Sequence, residues 1–564
     1  MKNFTYNIID LFAGAGGLSN GFEQTNRFKV IAAVELNDAA QSTFIKNHNN
    51  NPNIILKTSD TGESDITKID FTQLKLIPEQ TVVVGGPPCQ GFSNANRQKN
   101  YLISGNNQLV KEYVRAIKEI EPVAFLMENV RSMNSSVHKF FVTKSSSSDE
   151  NDFSSIKHLN KISTKKTPIY KRDTIDLLAS KNMLIINLLY NFSALSEVPK
   201  PIVSNPTYLS FLRTLQRRFE KDGMLYINKT KEFANIESIL ESIKNDTFRT
   251  DKELEFILSV KNSLIYLLKG RLDSKELLQP LILFNEYNNF LVRCQELKDE
   301  NIECMKLNTV RDKNDYFIIQ AEVYSYNIVE YLYHIFTYYG YKVSSDVLDS
   351  SNFGVPQKRK RFIMIGIKSN KSELSLPKNV NKTLYTVEDA IKDLENIEPQ
   401  KDVIHYNNQI YNVDNNSLKS FELLHYYRKH LEGSKILYNH INTNSTPLIQ
   451  TRYNEIREKK GKNFHSLSDD LKSSYKDAKR TQNTVYLRLD YNEPSPTVVN
   501  VRKSMWQHPT KARALSIREA ARLQSFQDSY VFYGRKDEQY QQVGNAVPPL
   551  LAKALAQHIL NLLD

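Results

Sequence analysis

Short apolar runs alternating with helical stretches set the pattern of the first 130 residues. Tyr6-Asn7-Ile8-Ile9-Asp10-Leu11-Phe12 reads as a strand, followed by Lys29–Glu35, Thr81–Val84 and Pro122–Met127. The stretch ending near Glu23 and the stretch Gln108–Ile120 have helical spacing. Strands alternating with helices predict an α/β fold, a doubly wound sheet with helices on both faces. From about residue 132 to 315 the pattern changes. Apolar residues recur at helical spacing in Ile175–Leu195, Tyr208–Phe219, Phe233–Ile243, Leu254–Leu268 and Leu277–Leu297, which predicts a mostly helical insert. The α/β pattern returns with a helix Ile328–Tyr339 ended by Gly340, an alternating strand Tyr341–Leu348 and an apolar strand Phe362–Ile367. Residues 368–480 are polar, Asn-rich and without a regular period. Loop-dominated recognition regions look like this, and so do poorly structured linkers. Near the end, Ser516 and Glu519 are spaced as a capping box for a helix beginning at Ile517, and Leu550–Leu563 reads as an amphipathic helix. The expected divisions are 1–131, 132–315, 316–367, 368–484 and 485–564.

The candidate chemistry clusters at the carboxyl ends of these strands. Thr81–Val84 runs into Gly85-Gly86-Pro87-Pro88-Cys89-Gln90-Gly91, where glycine and proline dictate a sharp turn. A thiol held there is a candidate nucleophile, and a small buried Cys in a tight loop is the plainer alternative. Glu128 ends the neighbouring strand and is a candidate acid or base beside it. Gly14, Gly16 and Gly17 follow the first strand, and Glu35 ends the second about 20 residues on, where an acid accepts hydrogen bonds from ribose. The glycine turn lacks the Gly-Lys-Ser/Thr of a triphosphate-binding loop. Ser64-Asp65-Ile66-Thr67 offers a further polar group near the same region. In Gln357-Lys358-Arg359-Lys360-Arg361, spacing by two aims Arg359 and Arg361 the same way, suited to one phosphate and one base contact. Glu296-Leu297-Lys298 matches part of a nuclease signature but sits in a helical stretch without a partner acid, and we read it as coincidence.

Composition narrows the class. The 564 residues carry a formal charge of +12 and a pI near 9.1, which admits a polyanionic partner. Cys89, Cys294 and Cys304 are too few for a disulfide framework and lack zinc-ligand spacing, so no metal is expected. No apolar run approaches the ~20 residues that span a membrane. The chain starts directly with strand-forming residues, and the expected location is the cytoplasm.

Taken together, Asp10–Gly17, Gly86–Ser93, Glu128-Asn129-Val130, Gln357–Arg361, Arg513–Phe526 and Gln542–Pro549 resemble, in order, the motif series of the cytosine-5 DNA methyltransferases. The resemblance covers about half of the chain. It implies a Rossmann-like methyltransferase sheet binding S-adenosyl-L-methionine, a smaller target-recognition domain within 368–484, and double-stranded DNA as substrate with the target cytosine flipped out. Cys89 would attack cytosine C6, Glu128 would contact N3 and the exocyclic amine, Arg361 the O2 side and Arg359 a neighbouring phosphate. Phe12, Gly14, Gly16, Glu35, Asp65, Ile66, Pro88, Leu109 and Asn545 would hold the cofactor. A cognate restriction endonuclease acting on the same site, and nucleoid association through DNA, follow by the same resemblance. Ser525 stands where the family often has glycine, and the residues around Asn106-Asn107 lack the family's arginine-glycine. The insert exceeds the family's usual spacing. A tRNA-acting relative is the nearest rival, although no Cys-Phe-Thr of that group occurs; a silent regulatory module is another.

Overall fold

The computed structural model describes residues 4–88, 106–135, 138–144, 153–163, 167–189, 191–243, 250–269, 271–272, 275–368, 374–378, 384–402, 409–411, 421–475 and 477–564. Two compact units result, one holding 1–93, 108–135 and 335–564, the other 94–107 and 136–334.

The first unit is built on a six-stranded sheet. Its strands are β1 (Tyr6–Leu11), β2 (Phe28–Val34), β3 (Thr81–Gly85), β4 (Ala124–Val130), β5 (Lys342–Asp349) and β6 (Lys360–Ile367), in the order β5-β6-β4-β3-β1-β2. The first four run parallel, β6 is antiparallel to β4, and β5 is antiparallel to β6. All five residues of β3 are buried, as an unbroken β-branched run requires when both faces of a parallel sheet are covered. The expected doubly wound α/β fold is therefore present.

Helix α1 (Gly17–Glu23) shows how the two ends of the chain join. A Cβ on Gly17 would fall 2.3 Å from the Val547 carbonyl, and one on Gly21 would fall 2.4 Å from both the Ala552 Cβ and the Pro549 carbonyl. These glycines let α1 pack directly on the carboxyl-terminal helix Pro549–Leu563. The seam is sealed by Val547, Leu551, Ala552 and Leu555, all buried with Leu18 and Phe22.

The capping box at Ser516 is present: its hydroxyl accepts from Glu519 N, and the Glu519 carboxylate takes the Ser516 N–H at 2.7 Å. Glu519 also receives both Nη groups of Arg513, at 2.9 and 2.7 Å, which hold its carboxyl well below the usual range despite full burial. His440 bridges this helix to residues 397–400. Its Nε2 faces the Ile397 carbonyl at 2.8 Å and so carries the proton, leaving Nδ1 to accept from Ser516 Oγ. Further along the same helix, buried Arg522 donates to Asp393 (2.6 Å) and, through Nε and Nη2, to Asp528 (2.8 and 2.7 Å). The stretch 368–484, whose polarity is compatible with loop or linker, contains the helices Val387–Ile391, Phe421–Arg428 and Pro447–Glu458. A small core of Tyr453, Ile456, Phe464, Leu467 and Tyr486 supports the last of these. Ser525 has φ 64°, the left-handed conformation that explains a preference for glycine there, and its hydroxyl accepts from Leu550 N at 3.1 Å.

The second unit is richer in helix than in strand, yet it also contains an antiparallel sheet that periodicity does not predict. Phe317–Asn327 pairs with Tyr170–Ser180 on one side and with Cys304–Arg311 and Lys139–Phe141 on the other. The stretch read as one helix from Ile175 to Leu195 is instead a strand to Ser180 followed by a helix Met183–Leu189. The unit closes at 334 rather than near 315, because Phe317–Asn327 is the central strand of this sheet. Helices Pro206–Asp222, Asp251–Leu267 and Lys275–Asp299 bury Leu212, Ile257, Leu264, Phe284, Tyr287 and Leu291 in its core, where Tyr287 OH donates to Glu253. Glu296-Leu297-Lys298 lies within Lys275–Asp299, with Leu297 fully buried, as expected of a helical coincidence.

Candidate active site

The site gathers at the carboxyl ends of β1, β2, β3 and β4. Pro87 and Pro88 follow β3, and Cys89 itself lies outside the described residues. The turn leading to it is anchored. Asn129 Nδ2 donates to the Pro87 carbonyl at 3.1 Å in a buried bond, while the Asn129 Oδ1 accepts from Val130 N. A Cβ on Gly86 would sit 3.0 Å from Glu128 Oε2. The Gly86–Pro88 turn and the Glu128 carboxylate therefore lie side by side, as their neighbouring strands predict.

Glu128 Oε1 receives Arg361 Nε at 2.7 Å, with both side chains about 12–13% exposed. Register explains the meeting: in the antiparallel β4–β6 ladder Arg361 opposes Val130 and Ile363 opposes Glu128, so the arginine reaches along the strand. Burial raises the Glu128 carboxyl above its usual range, opposed by Arg361 and then Arg359. Burial likewise lowers Arg361. Desolvation thus outweighs pairing for both partners.

Arg359 departs from expectation. It is 1% exposed, and its Nη1 and Nη2 donate to the carbonyls of Val498 (2.7 Å) and Gly544 (3.0 Å). A guanidinium enclosed by two backbone carbonyls cannot reach a DNA phosphate from where it sits. Gln357 acts similarly, accepting from Val498 N at 2.7 Å and donating to the Leu523 carbonyl and Gln524 Oε1. Both side chains tie the start of β6 to residues 495–498 and 523–544. Around Arg361 opens a cleft of about 590 Å³ lined by Val130, Arg131, Asp349, Lys358, Lys360, Arg361 and Thr497.

On the other side of β3, the glycine turn follows β1. Phe12 (φ 58°) and Gly14 (φ 55°) are both left-handed, a costly state for phenylalanine that tends to mark functional loops. Among the described residues, a Cβ on Gly14 would meet nothing within 4 Å, so this glycine faces open space there. Gly16 differs: a Cβ there would strike His48 Nε2, Tyr530 OH and Phe44 within 3 Å, so its need for glycine is internal packing. Glu35 Oε2 accepts from Gly14 N at 2.8 Å and its Oε1 from Asn37 N at 2.7 Å, and burial raises its carboxyl. Asp65 caps the turn Ile66–Lys68 by accepting from Thr67 N and Oγ1 at one carboxylate oxygen. Arg115 holds the Ile66 and Ile69 carbonyls from helix α2 (Asn106–Ile120), the helix that carries the half-buried Leu109. Asn545 is exposed at the end of helix Lys536–Asn545 and accepts from Gln541.

The C-5 cytosine-specific DNA methylase family matches this chain over residues 6–256 and 321–561. The match covers well over half of the sequence, and the chain belongs to that family: it is a DNA (cytosine-5-)-methyltransferase. It is 25% identical over 98% of its length to the type II methyltransferase M.DdeI of Desulfomicrobium norvegicum, of which it covers 88%. Over 40% of the chain it is 32% identical to M1.HphI of Haemophilus parahaemolyticus, covering 49% of that protein. Over 23% of the chain it is 39% identical to M.SsoII of Shigella sonnei, covering 31% of that protein. A solved structure titled as a putative prophage-encoded DNA modification methyltransferase from E. coli aligns over 99% of both chains, at 18% identity and a TM-score of 0.49.

Proposed function

We propose that this chain methylates C5 of a cytosine flipped out of duplex DNA at a specific sequence, through a covalent Cys89 adduct, within a restriction-modification system. The observation that carries the reading is the buried Glu128–Arg361 pair set against the Gly86–Pro88 turn that delivers Cys89. S-adenosyl-L-methionine would supply a methyl group on a positively charged sulfur, electrophilic enough for a carbon nucleophile. Gly14, open and left-handed, leaves room for its chain, and the Glu35 carboxylate beside it suits ribose hydroxyls. Phe12, Asp65, Ile66, Pro88, Leu109 and Asn545 would complete the pocket, whereas Gly16 acts through packing.

Cytosine C5 is a poor nucleophile until its aromaticity is broken. The Cys89 thiolate adds to C6, and the electron pair of the C5–C6 double bond moves toward N3, where Glu128 supplies a proton. Burial that raises the Glu128 carboxyl favours this donor role. Arg361, fixed by Glu128, faces the O2 side. After C5 has gained the methyl group, loss of the C5 proton to a base restores the double bond and expels Cys89, and N3 returns its proton to Glu128. This chemistry needs a target cytosine outside the stack. Residues 368–484 are the proposed target-recognition domain, a cognate endonuclease the proposed companion, and the nucleoid of a bacterial cytoplasm the proposed location. Among the described residues no helix is long and apolar enough to cross a membrane.

The test is methyl transfer from labelled cofactor to duplex DNA and to tRNA. Label is expected in DNA, and transfer confined to tRNA would overturn the reading. In the same assay Glu128→Gln, which keeps the shape but cannot give up a proton, should lower turnover on the order of 10²–10³-fold. Its cofactor affinity should stay unchanged.

A further inference from the structure

Along Lys358–Arg361 the side chains divide. Arg359 points inward to the Val498 and Gly544 carbonyls, and Arg361 is committed to Glu128. Lys358 and Lys360 are exposed and line the 590 Å³ cleft, with exposed Arg131 from the turn after β4 on the same cleft. The arginine expected to meet a phosphate is thus withdrawn, while three cations from neighbouring positions stand in the cleft beside Arg361. We propose that Lys358, Lys360 and Arg131 form the clamp for the DNA backbone phosphates flanking the flipped nucleotide. This inference rests on the DNA-methylating reading and assigns residues to it.

The local structure suits a clamp. The Lys358 backbone is pinned on both sides, its N–H donating to the Ser495 carbonyl at 2.8 Å and its own carbonyl accepting from Thr497 Oγ1 at 3.0 Å. The ammonium alone remains adjustable. It rests 2.8 Å from Glu493 Oε2, but both side chains are more than half exposed, and such a pair contributes little. A phosphate, with its full charge and its accepting oxygens, can displace Glu493. Among the described residues Asp349 is the one carboxylate lining the cleft, and its Oδ1 already accepts from Ser351 N and Oγ. Its charge repels phosphate from that wall toward the lysines. The distribution of charge agrees: Lys and Arg nearly balance Asp and Glu between residues 136 and 334, so most of the excess of +12 lies outside that stretch.

The clamp is tested by the salt dependence of binding to methylatable duplexes and to scrambled duplexes without a site. For a double variant, Lys358→Ala with Lys360→Ala, the slope of log affinity against log salt should fall by about 0.9 for each phosphate no longer neutralised, about 1.8 in all. The loss of affinity should be equal on both duplexes, with KM for DNA raised and cofactor binding unchanged. Lys360→Arg should restore most of the slope at that position. Glu493→Gln should bind more tightly than the parent, a gain that misfolding cannot produce. An unchanged slope in the double variant, a loss confined to the methylatable duplex, or no gain in Glu493→Gln overturns the clamp while leaving the enzyme reading intact. Failure of the parent protein to bind duplex DNA overturns the DNA reading and the clamp with it.

Discussion

Cys89→Ser abolishes methyl transfer, with turnover expected to fall by at least about 10⁴-fold, while cofactor affinity stays within about twofold. A serine hydroxyl is far less acidic than a thiol and adds poorly to C6, so the first covalent step fails although the turn before it is unaltered. The anchors of that turn do not involve the thiol: Asn129 holds the Pro87 carbonyl, and Gly86 lies against Glu128. The parent enzyme should form a denaturant-resistant complex with DNA carrying 5-fluorocytosine at the target, because fluorine at C5 cannot leave as a proton does. The variant should form none. Gel separation of the complex and a cofactor-binding titration check both halves. Trapping by the serine variant would move the nucleophile elsewhere.

The second large effect falls on stability. Arg522 is fully buried and neutralises Asp393 and Asp528, which are themselves nearly or fully buried. Arg522→Leu leaves two carboxylates without their main partner, and breaking a buried pair in this way costs about 3–5 kcal/mol. Asp528 retains Arg428 at 3.4 Å and Arg518 at 3.9 Å, so the loss concentrates at Asp393. Thermal unfolding should shift down by several degrees, with the protection of amides in 387–394 and 421–428 lost first in hydrogen exchange. An unshifted melting curve would mean that the network contributes packing alone.

Much of the site was legible because local pattern and site coincide. Apolar strands ending in Gly, Pro, Glu or Cys announce both the sheet and the residues at its carboxyl edge, and β1 through β4 lie where those runs predict. Glu128 and Arg361 also meet as antiparallel pairing of two adjacent apolar strands allows. What stayed hidden depends on distant partners. Arg359 alternates with Arg361 as a surface residue would, but its acceptors are 139 and 185 residues away, and nothing near it in sequence announces burial. Likewise Ile175–Ser180 carries enough apolar residues to pass for the start of a helix, until Phe317–Asn327, far along the chain, supplies the ladder. Polar composition concealed the order in 368–484, because buried charge pairs such as Arg522–Asp393 hold it where hydrophobic period is weak. Gly14 and Gly16 look alike in sequence, yet one faces open space and the other is hemmed in by His48, Phe44 and Tyr530.

Bisulfite sequencing of DNA incubated with the protein and S-adenosyl-L-methionine tests methylation of cytosine C5 in a defined duplex sequence. Conversion-resistant cytosines are expected at one position of a short recurring sequence, and none with Cys89→Ser. Uniform conversion throughout, or resistant cytosines that persist with Cys89→Ser, would contradict it.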